Sequence, residues 1–390
     1  MGLRLLTAGE SHGSSLISIL DGLPAGLPIS PEDIDVDLAR RQDGYGAGPR
    51  MKLEYDRVQI LAGIMEGTTT GAPVALMIEN ADHKNWKDRK IPAMTIPRPG
   101  HADLAGAIKY GTNDLRPVLE RASARETASR VASGTVCRLL LASFGIKVGG
   151  YVSAIGNVSA SIDGLSIETC VESALTDPVH CPDPGASSQM QAAIHKAMLD
   201  KDTLGGIIEV TATGLPPGLG SYAQWDKRLD ARIGGAILSV PAIKGVEFGH
   251  AFENSTLTGT KVQDPIRLEN NHLVRPSNRD GGLEGGVTTG QPLFIRAAMK
   301  PIPSTLTPQP SVDLASGEDV DTRYERSDFC PVPRAIVILE AMVAFILADA
   351  LMEKLGGDSL DEMRDRYTNL RKASLEDLQL DGHEHIFWQE

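Results

Sequence analysis

No two of the four cysteines in this 390-residue chain stand in a C-x-x-C pair, and Cys137, Cys170, Cys181 and Cys330 show no metal-ligand spacing. That pattern reads as reduced thiols and argues against a disulfide framework or a structural zinc site. There is no surplus of positive charge: 38 Lys and Arg stand against 51 Asp and Glu, a net −13. A nucleic-acid binder that relies on bulk electrostatics is excluded, and anions can be held only in a local basic pocket. The opening "MGLRLLTAGE" meets glycine and glutamate before any signal-length apolar region forms, so a cytoplasmic protein is expected. The most apolar run, "AIVILEAMVAFILADALM" (Ala335 to Met352), carries Glu340 and Asp349, which predicts a buried helix and no membrane span. Neither G-x-x-x-x-G-K-[ST] nor a strand–G-x-G-x-x-G–helix unit occurs, so the standard nucleotide-binding devices are missing. "HEH" at His383 to His385 lacks the spacing of a zinc helix, and no metal site is expected.

What is present begins with "TAGESHG". Gly9 to Gly13 matches the G-x-S-x-G elbow of serine hydrolases. That elbow needs an earlier strand and oxyanion loop before it and a helix after it. Only eight residues precede Gly9, and "SSLISIL" reads as a strand. Attention passes from Ser11 to His12.

Ser30-Pro31-Glu32-Asp33 opens a helix with a near capping box. A second, long helix is predicted from about Leu115 to Ser143, with Pro117 in its first turn. A third starts near Pro333 and ends at Gly356-Gly357. β-rich runs lie at Val58 to Leu61, Val74 to Ile78, Ile207 to Thr213 and Leu293 to Ala297. Thr176 to Ser188 reads as loop, and residues 250–280 and 305–330 are long, polar and loop-like.

Three echoes recur in the same order. "DGLPAGL" returns as "TGLPPGL", "DLARR" as "RLDARIGG", and "GTTTGAPVALMI" as "GVTTGQPLFIR". They predict a duplicated β/α unit, residues about 1–145 and 204–356, within one pseudo-symmetric α/β domain spanning 1–390 with a tail from 358.

Arginines cluster beside glycine and proline: Arg40, Arg41 and Arg50, then Arg98 with His101 in "PRPGHADLAG". In "LERASARETASR", Arg121 and Arg125 stand at i and i+4, hence on one helix face among small residues. Ion pairs with Glu120 or Glu126 are one reading of that pair. The other is a set of guanidinium forks for phosphate or carboxylate. Alone, these residues say only that a multi-anionic small ligand binds near histidines able to act as acids.

"TAGESHG", "RRQDGYGAGPRM", "PRPGHADLAGAIKYG", "ERASARETASRVASG", "NRDGGLEGGVTTGQP", "AMKPIPSTL" and "RSD" stand in an order that closely resembles the chorismate synthase family. The resemblance implies an α/β (β-α-β) sandwich, a homotetramer and reduced FMN. It implies a carbon–oxygen lyase that removes phosphate from 5-enolpyruvylshikimate 3-phosphate by 1,4-anti elimination. The product is chorismate, the last common precursor of the aromatic amino acids. His12 then corresponds to the acid for the departing phosphate, His101 to the histidine beside the flavin, and Asp328 to the carboxylate active in proton removal. Arg41, Arg50, Arg98 and Arg125 fall where the family grips substrate or NADPH. Arg121, Ala122, Ser123, Pro241, Ala242, Gly285, Lys300, Pro301, Ile302, Pro303, Ser304 and Arg326 match its FMN positions. With no Rossmann fingerprint, NADPH enters at most as an indirect reductant. The chain departs from the family at the glycine turn, where Ala47 replaces the usual arginine.

Overall fold

The computed structural model describes residues 2–46, 55–325, 327–378 and 380–388. Ala47, Arg50 and Arg326 lie outside them. The first part of the chain forms β1 (Arg4–Ala8), β2 (Ser15–Asp21), α1 (Pro31–Gln42), β3 (Val58–Ala62), β4 (Val74–Glu79), α2 (Asp103–Tyr110), α3 (Arg116–Ala122) and α4 (Thr127–Ala142). The second forms β5 (Lys147–Ile155), α5 (Ile167–Ala174), α6 (Pro184–Leu199), β6 (Gly206–Thr213), α7 (Leu229–Leu238), β7 (Ile243–Phe248), β8 (Leu293–Met299), α8 (Val332–Leu355) and α9 (Leu360–Thr368).

Two antiparallel sheets result. The first runs β1-β2-β4-β3. The second runs β5-β6-β8-β7, with the short strand Val158–Ser159 outside β5. In the first sheet period-2 burial marks one apolar face: Leu16 and Leu20 on β2, with Val74, Leu76 and Ile78 on β4, point inward. In the second, β8 alternates likewise, whereas β5 and β6 are buried along most of their length. Helix α4 covers β2 and β4, α8 covers β5 and β6, and α4 packs against α8. Buried side chains of both sheets and of the helices between them join in one core cluster.

The two sheets share more than strand order. A small hairpin, Ile64–Met65 with Thr68–Thr69, accompanies the first, and Leu283–Glu284 with Val287–Thr288 the second. Thr69 Oγ1 donates to the Pro24 carbonyl (2.6 Å) and accepts from Leu27 N (2.9 Å). Thr288 Oγ1 donates to the Pro216 carbonyl (2.7 Å) and accepts from Leu219 N (2.8 Å). The echoed L-P-x-G-L turns are thus anchored by the same threonine chemistry.

Helix α8 is long and apolar enough to cross a membrane by length and composition, but 78% of its most apolar window is buried inside the protein. Its Glu340 sits in the core because Arg40 grips both carboxylate oxygens (2.7 and 3.0 Å). Asp37, on α1, joins through Arg40 (3.0 Å) and Arg138 (2.6 Å). Burial opposes the charge on Arg40, but Glu340 and Asp37 outweigh it and raise its pKa.

Three expectations need correction. The helix predicted over 115–143 breaks at Ser123, which is extended (φ −64°, ψ 140°) and caps Arg125 N with its hydroxyl; a 3-10 turn (Ala124–Glu126) leads into α4. The stretch read as loop to Ser188 turns helical at Pro184, because Asp183 caps Gly185 N and Ala186 N. Both segments read as loop-like hold a hairpin: Arg267–Glu269 with His272–Val274 in 250–280, and Pro310–Asp313 with Glu318–Asp321 in 305–330.

At the α4–α8 crossing, a Cβ on Gly134 would lie 2.3 Å from Ala341 Cβ and 2.8 Å from its carbonyl oxygen. Gly134→Ala should therefore destabilise the protein by roughly 1–3 kcal/mol, despite the roughly 0.5–1 kcal/mol that alanine gains in a helix interior. Urea unfolding checks this. An unchanged midpoint would mean that the two helices do not pack this closely.

Candidate active site

Segments from across the fold meet at one cavity of about 630 Å³: the β1–β2 loop, the end of α1, the Pro-Arg-Pro-Gly turn before α2, the α3–α4 break, the segments around 241 and 300, and the start of α8. That volume lies within the range of small-molecule sites. Among the described residues, its wall carries the cations Arg41, Arg98, Arg121, Arg125, Arg130, Lys300 and Arg334 against the carboxylates Glu126, Glu325 and Asp328. Seven cations to three anions is a local reversal of the chain's −13.

The β1–β2 loop is shaped by Gly9 (φ 107°), where a Cβ would come within 2.4 Å of the Ser15 carbonyl oxygen. Helix α3 then grips the loop with consecutive residues. Arg121 donates to the carbonyls of Gly9 (3.1 Å) and Thr7 (2.9 Å) and to Thr7 Oγ1 (2.8 Å). Glu120 accepts from His12 N at Oε2 (2.8 Å) and meets His12 Nδ1 at Oε1 (2.8 Å), while its carbonyl accepts from Ser11 N (3.1 Å). The Trp86 ring lies 4.0 Å from the His12 ring. Ser11 is 2% exposed, and Ser123 Oγ bonds to it at 3.2 Å. A buried hydroxyl on another hydroxyl, followed by strand β2, is not a nucleophile elbow.

His101 is held in the same way as His12. Its Nδ1 lies 2.5 Å from Asp103 Oδ1, and Asp103 also pairs with Arg98 Nε (2.8 Å). Burial would raise the Asp103 carboxyl, but its bonds to His101 and Arg98 hold it well below the usual carboxylate range. Arg98 reaches Ser304 Oγ (3.0 Å), and Lys300 Nζ donates to the Gly100 carbonyl (2.8 Å). These bonds tie "PRPGH" to "KPIPS". Ala242, whose carbonyl accepts from Lys300 N, holds φ 69°, a left-handed conformation unusual for alanine.

Asp56, 4% exposed, holds two arginines. Arg125 Nη1 meets both of its oxygens (2.7 and 2.8 Å), and Arg41 Nη1 lies at 3.4 Å. Arg125 Nε also donates to Asn80 Oδ1 (2.9 Å). Burial lowers Arg41 to about 9, with Asp56 opposing and Arg334 and Arg125 reinforcing the fall. Arg334 donates to the Arg41 carbonyl (2.9 Å) and pairs with Asp328.

A chorismate synthase family model matches residues 3–352. The chain belongs to the chorismate synthase family. The chorismate synthase of Trichlorobacter lovleyi is 52% identical over 379 residues, covering 93% of this chain and 97% of that protein. That of Desulforudis audaxviator is 51% identical over 375 residues, covering 94% and 96%. A solved structure titled "Crystal Structure of Chorismate Synthase" superposes with a TM-score of 0.79 at 41% identity, covering 95% of this chain and 97% of the other. The chain is thus a member of a lyase family, with a mixed helix and strand fold.

Of the positions matched to that family by motif, His12, His101, Asp328, Arg41, Arg98, Arg125, Arg121, Ala122, Ser123, Pro241, Ala242, Lys300, Ile302, Pro303 and Ser304 all line the one cavity. Pro301 is exposed between two lining residues. Gly285 does not line it: it sits exposed in the turn of the 283–288 hairpin. Arg121 and Arg125 do not share a helix face. The Ser123 break turns one toward the loop carbonyls and the other inward to Asp56. The ion-pair reading of that segment also fails, since Glu126 takes Arg130 (2.8 Å) and Glu120 takes His12. Sequence reasoning missed Glu120, Trp86, Asp56, Asp103 and Arg334 as parts of the site: Glu120, Trp86, Asp56 and Arg334 meet partners distant in sequence, and Asp103 went unassigned inside its motif.

Asp56→Asn removes the anion between two buried guanidiniums and should cost about 3–5 kcal/mol of stability. Added inorganic phosphate should restore more of the melting temperature in the variant than in the parent. Equal shifts in both would show that phosphate does not reach these arginines.

Proposed function

We propose that this cavity binds reduced FMN and 5-enolpyruvylshikimate 3-phosphate and carries out the family's 1,4-anti elimination of phosphate to give chorismate. The observation that carries the reading is the wall itself: seven cations and two carboxylate-held histidines around about 630 Å³ in an acidic chain. The substrate brings two carboxylates and a phosphate, and FMN a further phosphate. The donor set fits both. Arg121, Ala122, Ser123, Pro241, the left-handed Ala242 and the Lys300–Ser304 run would hold the flavin, joined by Arg326. Arg41, Arg98 and Arg125, with Arg50, would hold the substrate anions. Bound there, reduced flavin supplies transient electron density to the allylic C–O bond.

The chain's own residues do the rest. His12 delivers a proton to the departing phosphate oxygen as the C–O bond breaks. The surrounding guanidiniums stabilise the charge that develops on it, in a setting where no reorganisation is needed. Asp328, held by Arg334, serves removal of the C6 proton, and the electron pair of that C–H bond becomes part of the new diene. His101, fixed by Asp103, keeps a proton at a defined ring nitrogen beside the flavin. Burying Arg41 as a cation costs stability, in full below about pH 9 and fading only as pH rises toward the ordinary guanidinium value, and a bound anion offsets that cost.

We also infer that residues 1–390 form a single domain, a β-α-β sandwich of two copies of one unit. The shared strand order and the Thr69 and Thr288 anchors support this. The second copy then begins at β5, with α5 and α6 inserted, and not at residue 204. A cytoplasmic homotetramer completes the reading, with exposed Leu6 and Ile19 paired on the outer sheet face as apolar surface for a second copy.

The test is an anaerobic assay with dithionite-reduced FMN. Chorismate and phosphate should appear together, and His12→Ala should slow both by about 10²–10⁴-fold. Phosphate without chorismate would mark a phosphatase, and neither product a binding protein.

A further inference from the structure

His12 and Glu120 stand 108 positions apart in sequence, yet Glu120 makes three bonds to the Ser11-His12 pair. Its carbonyl takes Ser11 N (3.1 Å), one carboxylate oxygen takes His12 N (2.8 Å), and the other meets His12 Nδ1 (2.8 Å). One residue therefore sets both the backbone and the ring angle of His12. Trp86 lies against the ring at 4.0 Å and limits its rotation. Resting on the role assigned to His12 above, we propose that Glu120 is its positioning residue. It holds the proton of the neutral ring on Nδ1, so that Nε2 is the nitrogen that gives its proton to the leaving phosphate.

The chemistry follows from imidazole itself. Only one ring nitrogen of the neutral form carries a proton, and the bond made by the other side of the ring decides which one. A carboxylate on Nδ1 accepts and cannot donate, so Nδ1 must be N–H in both ring states. The proton that leaves is then the one on Nε2, and the imidazolium formed on reprotonation stays paired with an anion. Burial raises the Glu120 carboxyl, but its bonds to His12 and the charge of Arg116 pull it below its ordinary value, so it remains ionised. A purely structural tie needs only the backbone bonds. The ring contact is what the proposal adds.

The charged and titratable groups around the ring come from three elements. Helix α3 supplies Glu120, Arg116 and Arg121. The segment after β4 supplies His83, whose Nδ1 bonds to the His12 carbonyl (3.0 Å), and Arg89. Arg116 and Arg89 lie over Trp86 at 5.8 and 5.9 Å, so two cations face the far partner of the stack. Glu10 comes from the loop itself, and Arg125 stands in the same cavity wall, bonded to Asn80 and Asp56. Glu120 is the carboxylate bonded to the ring.

The test uses ring-¹⁵N histidine spectra of the whole protein across pH, with the anaerobic turnover profile beside it. Above its titration midpoint, wild-type His12 should be the Nδ1–H tautomer, and finding it as Nε2–H overturns the proposal. Glu120→Gln puts an amide that can donate as well as accept against Nδ1, so the neutral His12 ring should gain an Nε2–H population while the His101 tautomer is unchanged. The same variant should lower kcat by about tenfold or more, with little change in KM. An unchanged His12 tautomer, or a changed tautomer with unchanged kcat, would also overturn it. The tautomer is read in the wild type, so the test survives if the variant fails to fold. His12→Ala separates the two claims: full activity there refutes the role of His12 itself, whatever Glu120 does.

Discussion

A buried guanidinium needs an anion, and nearly every feature of this site answers to that requirement. Taking one into the protein unpaired costs several kcal/mol, whereas pairing and full hydrogen bonding make the burial tolerable. Here internal carboxylates do the pairing: Asp56 for Arg41 and Arg125, Asp103 for Arg98, Asp328 for Arg334. The arginines are fixed before any ligand arrives, and all four line a single cavity. Preorganisation of this kind keeps reorganisation out of the chemical step.

The same arrangement lets an acidic chain present a cationic wall to an anionic small molecule. Net charge acts at long range and is screened over about 8–10 Å. Binding is settled at contact, where cations outnumber carboxylates on the cavity wall. The scaffold that holds this wall is rigid for a separate reason. Helices α4 and α8 cross so closely at Gly134 that no side chain fits, and the Arg40–Glu340 pair locks α1 to the same core.

Much of this was legible in the chain. The capping box at Ser30, the closing glycines at 356–357 and the period-2 runs of β2 and β4 mark their elements by local chemistry alone. The "LPAG" and "LPPG" echoes announced the shared threonine-anchored turns. The break at Ser123 was not legible. Leu115 to Ser143 has unbroken helical propensity, and what stops it is the Ser123 hydroxyl turning to cap Arg125 and meet Ser11. Motifs located His12 and His101 but not the carboxylates that orient them. Asp103 stands two residues from its histidine but was assigned no role; Glu120 meets His12 only through the fold. Gly285 shows the reverse case, a motif position that the fold leaves on an exposed turn of this chain.

"TAGESHG" thus owes its chemistry to α3 and not to its resemblance to a hydrolase elbow. Glu120 and Arg121 read its amides and carbonyls, and His12 is presented as a ring of fixed orientation. On the reading proposed for this site, one cavity gathers flavin, substrate phosphate and both histidines. A crystal structure of the complex with FMN and 5-enolpyruvylshikimate 3-phosphate tests it most directly. The phosphate is expected within hydrogen-bonding distance of His12 Nε2 and of the arginines paired with Asp56, with the flavin against Ser123 and Ala242. Ligands bound outside this cavity, or a phosphate remote from His12, would contradict it.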